Sequence, residues 1–281
     1  MDHLQKQGDM RIAIICVCYN AYDHLLAYAR SLETAISNAE GVEFSLVVVD
    51  NSTQLTGADT LSLISGMKFD YHYIKSGNVG YFPAFKKGVG FLPSLSDFDC
   101  VAVSNVDLSV SDDFFESLTV CLGELPDNVG IVAPAIISQE RVADLNPKTL
   151  YRPTRLSLQK NIFIFKRLWL FRLYRKLSDL KARRPLIKYP EGMEFYSPHG
   201  SFIIFTRHYF LSGASYDYPQ FLFGEEDFVA EECRRSGLKV SYQPSIKISD
   251  FDHGSTSREK LSFIANEHVK SIKYIVDTYH S

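Results

Sequence analysis

The sequence predicts an α/β fold, a largely parallel sheet with helices on its faces. Three observations predict it. Short, β-branched runs recur in which nearly every residue is apolar, as strands buried on both faces require. Segments with helical spacing separate them, and this alternation of strand and helix is the pattern of a parallel sheet. The runs also tend to end abruptly in polar residues.

The first strand is "RIAIICVC" (11–18), closed by "YN". "AYDHLLAYARSLETAIS" follows with Leu25, Leu26, Ala29, Leu32 and Ile36 on one helical face. "FSLVVVDNST" is a second buried strand ending in Asp50, Asn51 and Ser52. A short third strand, "YHYIKS", leads into the glycine-rich "GNVGYFPAFKKGVG". "CVAVSNVDLSV" begins as a fourth strand and turns polar at Ser104, Asn105 and Asp107, and "NVGIVAPAII" is a fifth. Beyond the middle of the chain, "SPHGSFIIFTRHYF" is a Gly-Ser turn feeding a strand. "FLFGEEDFVAEECRRSGLKVSYQP" reads as turn, helix, glycine stop, strand and proline stop. The tail "SREKLSFIANEHVKSIKYIVDTY" is an amphipathic helix.

At 281 residues the chain is long enough for a sizeable core, and 46% hydrophobic with 22% charged residues is the composition of a folded protein. A formal net charge of −3 excludes a general polyanion binder. Five cysteines, an odd number lying mostly in apolar runs, fit a reduced, cytoplasmic protein. The polar opening "MDHLQKQGDM" gives no signal peptide, and no apolar run approaches the roughly 20 residues of a membrane span.

One segment departs from this register. Between residues 148 and 188 stand thirteen Lys or Arg and one acid, Asp179, interleaved with bulky apolar residues and the only tryptophan, Trp169. A solvated basic helix and a nucleic-acid patch are the competing readings. A basic segment this rich in aromatic and aliphatic residues is what binds an anionic membrane surface, and no nucleic-acid partner is expected. Charge interrupts it too often for it to span.

Ligands of open parallel sheets bind beyond the carboxyl ends of the strands. Asn20, Asp50 and Asp107 follow three of those ends. Each acid taken singly is also an ordinary turn or cap residue. A strand-end carboxylate such as Asp107 suits Mg²⁺ or Mn²⁺, which prefer oxygen and bind phosphate as well. The glycines around Asn78 and Gly80 permit close backbone approach, and Lys86 and Lys87 suit a diphosphate. The segment is neither a Walker loop nor a dinucleotide fingerprint. Glu225, Glu226 and Asp227 open a helix, where acids are favoured on any protein, yet three adjacent like charges repel. His253 sits in the polar loop "SDFDHGSTS".

In this order the segments resemble the family 2 glycosyltransferases of the GT-A fold, close to the bacterial rhamnosyltransferase-like group that builds O-antigen and capsule. "IICVCYNAYDHLLAYARSL", "LVVVDNST", "GNVGYFPAFKKGV", "VSNVDLSV", "PHGSFIIFTRHYF", "FLFGEEDFVAEECRRSG" and "HGSTS" carry the likeness, which runs from about residue 12 to 257 apart from the basic insert. The resemblance implies a Rossmann-like sheet with a basic amphipathic helical insert. It implies a single GT-A domain over 1–281, made of a nucleotide-sugar half (10–147), the basic amphipathic membrane-surface insert (148–190), an acceptor and catalytic half (191–257) and a C-terminal helix (258–281). It implies nucleotide-sugar contacts from Cys18, Asn20, Asp50, Asn78, Gly80, Lys86, Lys87 and Asn105, and an acceptor side at His199, Gly200 and Ser201. It implies a divalent metal at Asp107 with His253, and a general base at Glu226, with Glu225 and Asp227 as competitors. Cys18 replaces a more usual Thr, Lys86 an Asn, Val106 a Pro, and Phe228 a position often acidic.

The activity so implied is inverting, metal-dependent transfer from a dTDP- or UDP-sugar to a lipid-linked or growing surface polysaccharide, by a protein peripheral on the inner face of the cytoplasmic membrane. A sugar nucleotidyltransferase would place a Gly-rich, Arg-Lys loop after the first strand, and "CVCYNAYDHL" has none. A membrane-surface scaffold that keeps the fold without turnover is the non-enzymatic alternative.

Overall fold

The structure, a computed structural model, describes residues 9–53, 57–181, 188–251 and 260–281. Its first half runs β1 (Met10–Cys18), α1 (Tyr22–Asn38), β2 (Val42–Asp50), α2 (Ala58–Ser65), β3 (Asp70–Lys75), α3 (Tyr81–Val89), β4 (Cys100–Ser104), β5 (Leu108–Val110), α4 (Phe114–Glu124) and β6 (Val129–Ser138). The second runs β7 (Ala143–Asp144), α5 (Arg155–Phe165), α6 (Leu168–Lys181), β8 (Glu194–Phe195), β9 (Phe202–Thr206), α7 (Arg207–Leu211), α8 (Glu225–Arg235), β10 (Lys239–Asp250) and α9 (Leu261–Tyr279).

These strands form one mostly parallel sheet in the order β3-β2-β1-β4-β9-β6-β10-β5, with β7 on β6 and β8 on β10. β3, β2, β1 and β4 are parallel, as are β6 and β10. β9 lies antiparallel between β4 and β6 and joins the two parallel sets. The apolar run of β1 divides by side-chain alternation. Ile12, Ile14 and Cys16 pack with Leu25, Tyr28 and Leu32 of α1 and with Phe114 and Phe115 of α4. Ala13, Ile15 and Val17 pack on the opposite face with Phe82 and Phe85 of α3, Val229 of α8 and Val276 of α9. Both faces are covered, which is why the strand needs no polar position.

One expectation is corrected. Pro244 does not stop its strand: β10 continues to Asp250, and the proline falls within a register shift between Gln243 and Lys247, where a missing N–H is tolerated. The basic insert is helical, as expected, and comprises two helices, α5 and α6, broken at Lys166 and Arg167. Thr154 starts α5 by accepting the Ser157 N–H on its hydroxyl at 3.2 Å, an N-cap. All five cysteines are free and buried. Among the described residues no helix is long and apolar enough to cross a membrane.

Candidate active site

Register aligns the carboxyl ends of the parallel strands: Cys18 lies opposite Asp50, and Asp50 opposite Lys75. Asn20 follows β1 in the left-handed region, φ 52°, which Asn tolerates better than most residues, and its N–H donates to the Ser52 hydroxyl at 2.7 Å. Asp50 is almost wholly enclosed. Its Oδ2 accepts from Tyr22 Oη at 3.0 Å, Tyr73 Oη at 2.7 Å and Lys75 Nζ at 2.8 Å, and its Oδ1 accepts the Ser52 N–H at 2.8 Å. Burial works to raise this carboxyl, but the donors, Lys75 foremost, outweigh it and hold it below the ordinary aspartate value. Lys75 and Tyr73 are each more than one third exposed. A ligand at this strand end therefore meets them before the carboxylate. Cys18 is fully buried, and burial pushes its thiol up to about 11, so its side chain is not offered to a ligand.

The glycine-rich segment is a joint. Gly80 caps α3 with φ 98°, and a Cβ there would stand 2.4 Å from the Phe221 carbonyl oxygen. That oxygen accepts the Tyr81 N–H at 3.1 Å, while Asn51 Nδ2 donates to the Gly80 carbonyl at 2.8 Å. Asn78 is exposed in the loop before the helix. The two lysines diverge: Lys87 Nζ reaches back to the Ser76 carbonyl at 3.2 Å, whereas Lys86 pairs with Asp217 at 2.6 Å. The structure does not gather them at one phosphate.

The centre is built by β4 and β9. Their pairing continues past Ser104, where the Asn105 N–H donates to the Ser201 carbonyl at 2.9 Å, so residues 199–201 run beside 105–107. Gly200 is packed by carboxylates: a Cβ on it would meet Glu226 Oε1 at 3.0 Å and Glu225 Oε1 at 3.3 Å. Tyr81 Oη closes the group by donating to the Gly200 carbonyl at 2.9 Å. On the far side the Phe251 N–H donates to the Asp107 carbonyl at 3.1 Å. The chain thus reaches Asp107 two residues before His253, which lies outside the described residues. His199 is held by Asn146 Oδ1, which accepts its N–H at 2.8 Å, and its Nδ1 lies 2.9 Å from Ser201 Oγ. Burial, then the charges of Lys148 and Arg141, keep that imidazole well below its ordinary value and neutral.

Helix α8 opens on Gly224, left-handed at φ 80°, and aims its first turn of acids into this centre. Burial, then the neighbouring Glu226 charge, push Glu225 up to about 8. The same two causes push Asp227 to about 7, against the opposing effect of Ser197 and Lys148. Like charges in one enclosure do not all ionise together. A bridge between Thr149 and Ser197 delivers Lys148, whose Nζ stands 3.7 Å from Glu226 Oε1. Glu226 is therefore the acid of the three with a direct cationic partner.

Asp107 carries a carboxylate of the type that hard cations prefer, and no group of three or more metal-ligating side chains occurs among the described residues. That donor set does not make an all-protein cage. It fits a small divalent cation that keeps waters and shares one or two carboxylates with a phosphate.

Tyr81, Lys148, Lys75 and Asn51 were not singled out from the sequence. Lys75 ends a strand and Asn51 follows one, so the strand-end rule that marked Asp50 applied to them equally. Lys148 opens the basic stretch, and nothing in its spacing separates it from the twelve other cations there.

No protein-family model and no curated protein matches the sequence. Solved structures do. S. aureus TarS 1–349 is similar with a TM-score of 0.53 and 11% identity, over 86% of this chain and 60% of that one. The longer S. aureus TarS structure gives 0.54 and 11%, over 97% and 40%. GalNAc-T7, solved with UDP, GalNAc and Mn²⁺, gives 0.59 and 12%, over 96% and 50%. The chain thus spans 40 to 60% of the length of these structures. At such identities the likeness is one of fold, and the fold is the GT-A fold of glycosyltransferases.

Proposed function

We propose that the chain is an inverting glycosyltransferase that moves a sugar from a dTDP- or UDP-sugar to a hydroxyl of a lipid-linked or growing surface polysaccharide. The observation that carries this reading is the packing of Glu225 and Glu226 on Gly200, in the segment hydrogen-bonded to the Asn105–Asp107 turn. A proton acceptor and a candidate phosphate-side ligand thereby lie on neighbouring segments, and the charges of Glu225, Glu226 and Asp107 all act on Tyr81.

In this reading Glu226 takes the proton of the acceptor hydroxyl. The oxygen attacks the anomeric carbon from the face opposite the nucleotide, and the bond to the diphosphate breaks with its electron pair leaving on phosphate oxygen. Burial and neighbouring charge raise Glu225 to about 8 and Asp227 to about 7, while Lys148 Nζ stands 3.7 Å from Glu226 Oε1, the acid of the three that has this cation beside it. Asp107, with His253, would hold Mg²⁺ or Mn²⁺, which when bound stabilises the charge of the departing diphosphate. The Mn²⁺ and UDP in the GalNAc-T7 structure support metal use on this fold.

The test is a thermal-shift screen of nucleotide-sugars with Mg²⁺ or Mn²⁺, followed by a transfer assay with the donor that stabilises. A donor at 100 times its Kd stabilises by about 2.7 kcal/mol. Glu226→Gln is expected to keep that stabilisation and lose about 10²- to 10⁴-fold in transfer, the usual range for a general base. Asp107→Ala is expected to lose the metal-dependent part of donor binding. Transfer that survives both substitutions would refute the mechanism, and donor binding without any turnover in the wild type would favour the scaffold reading.

A further inference from the structure

Helices α5 and α6 carry more apolar surface than the fold uses. Their inward face is accounted for: Phe165 and Phe171 pack with Ile264, Ala265 and Val269, the last three from α9. Trp169, Leu173 and Leu177 recur at four-residue spacing on the side of α6 roughly opposite Phe171, and they are 66%, 49% and 52% exposed. Phe163 of α5 adds a fourth exposed group, its ring stacked under the Arg167 guanidinium at 3.6 Å. A helix that packs on a core needs one apolar stripe. This one has two, and the second meets water.

The charges say what covers it. Between residues 155 and 178 there are seven Lys or Arg and no acid, and all seven are exposed. Arg172 and Lys176 lie within a turn of the Trp169–Leu177 stripe. We infer that the α5–α6 hairpin docks on an anionic lipid surface, with Trp169, Leu173 and Leu177 entering the acyl boundary and the flanking cations lying at the headgroups. A second copy of the same chain is a poor occupant, because it would set two strongly basic faces together.

The hairpin is also tied to the candidate site. Phe165 and Phe171 pack around the His268 ring, which stacks on Phe223 at 3.8 Å, and Phe223 precedes the Gly224 cap of α8. Docking there holds the acid-bearing end of α8 at a fixed place relative to the bilayer. Its use for a lipid-linked acceptor rests on the transfer reading above; the docking itself does not.

Trp169 is the sole tryptophan, so the full-length protein carries its own reporter. Phosphatidylcholine vesicles with and without phosphatidylglycerol are added, with emission and flotation read in low and high salt and with neither donor nor acceptor present. The emission is expected to move to shorter wavelength, and the protein to float, with the anionic vesicles at low salt. Each cation near such a surface is worth about five-fold in partition, so Arg172→Glu with Lys176→Glu is expected to weaken flotation by about 25-fold or more. Leu173→Ser with Leu177→Ser is expected to abolish the emission shift while the thermal midpoint holds, since both side chains are about half exposed and neither belongs to the core cluster that α5 and α6 share with α9. Equal binding to neutral vesicles, or no binding to either, overturns the proposal. So does an emission shift that follows protein concentration, which would mark a second copy, or one produced by RNA and not by vesicles. Because no sugar-nucleotide enters, failure here leaves the donor and transfer tests standing.

Discussion

At the scale of single residues, the three acids opening α8 differ by environment although they are chemically alike. Lys148 stands beside Glu226, while burial and the Glu226 charge make Glu225 hold its proton up to about 8. That difference has a consequence for stability. An unfolded glutamate ionises near its ordinary value of 4.5, so between that pH and about 8 the folded state binds a proton that the unfolded state has lost. Stability contributed by Glu225 is therefore greatest below the unfolded value and is lost as the pH rises through the folded one. Glu225→Gln, which cannot ionise, removes that loss. Its thermal midpoint relative to wild type is expected to climb by about 3 °C or more from pH 5 to pH 8, since 1 kcal/mol shifts the midpoint by about 2–4 °C in chains approaching this size. A constant difference across that range in calorimetry would show that Glu225 is ionised throughout.

At the scale of elements, α8 must be fixed if its first turn is to stay on Gly200. It is fixed through Glu231, two turns along and wholly buried. Arg152 Nε donates to Glu231 Oε1 at 2.6 Å and Arg234 Nε to Oε2 at 2.9 Å, while Tyr196 Oη donates to Oε1 at 3.0 Å. Burial acts to raise this carboxyl, and the Arg152 and Arg234 hydrogen bonds outweigh it, leaving the carboxyl below the ordinary glutamate value. Arg152 also donates to the Tyr279 carbonyl at 2.8 Å, so one guanidinium ties α8 to the end of α9. Arg152→Ala is expected to cost about 2–3 kcal/mol in urea unfolding at pH 7, less than the ~3–5 kcal/mol of a buried charge left alone, because Arg234 and Tyr196 remain. The sign with pH is opposite to that of Glu225. A depressed carboxyl gives stability above its unfolded value and loses it as pH falls, so the gap between variant and wild type should close in acid. A gap that persists at low pH would assign the effect to packing.

Elements such as these were unequally legible in the sequence. β1, β2 and β4 could be read directly, because burial on both faces leaves their central runs apolar: residues 12–18, 46–49 and 100–103. Asp107, Gly200 and the α8 acids fell where strand-end and turn rules put them. β9 could be read as a strand, but its place between β4 and β6 could not, because periodicity carries no information about neighbours or direction. Pro244 misled for a related reason: a bulge excuses a missing N–H, and a bulge is a property of pairing. Lys148 was hidden because a charge acquires its role from what a distant bridge, here Thr149 to Ser197, brings beside it.

At the scale of the whole molecule, the position of β9 decides how the chain folds. The resemblance implies a single domain over 1–281, with a nucleotide half ending at residue 147 and a catalytic half from 191, and strand pairing crosses between them: all five residues of β4 are buried and their partners on one side are Phe202–Thr206. β6 likewise lies between β9 and β10, both from beyond that boundary. A piece ending at residue 150 would expose the edge of β4, the β10 edge of β6 and the part of its other edge that β9 covers, leaving only β7 paired at Ile137 and Ser138, and such apolar edges pair with other chains. Residues 1–150 expressed alone are therefore expected to bind a hydrophobic dye, aggregate and show no cooperative melting. Co-expressed with residues 151–281, they should purify as a one-to-one complex that melts in a single transition, because β9 and β10 can insert between strands already facing them. If residues 1–150 alone are monomeric and unfold cooperatively, the sheet is two folding units joined edge to edge. The candidate site, which straddles the β4–β9 pair, would then depend on their docking rather than on a single fold.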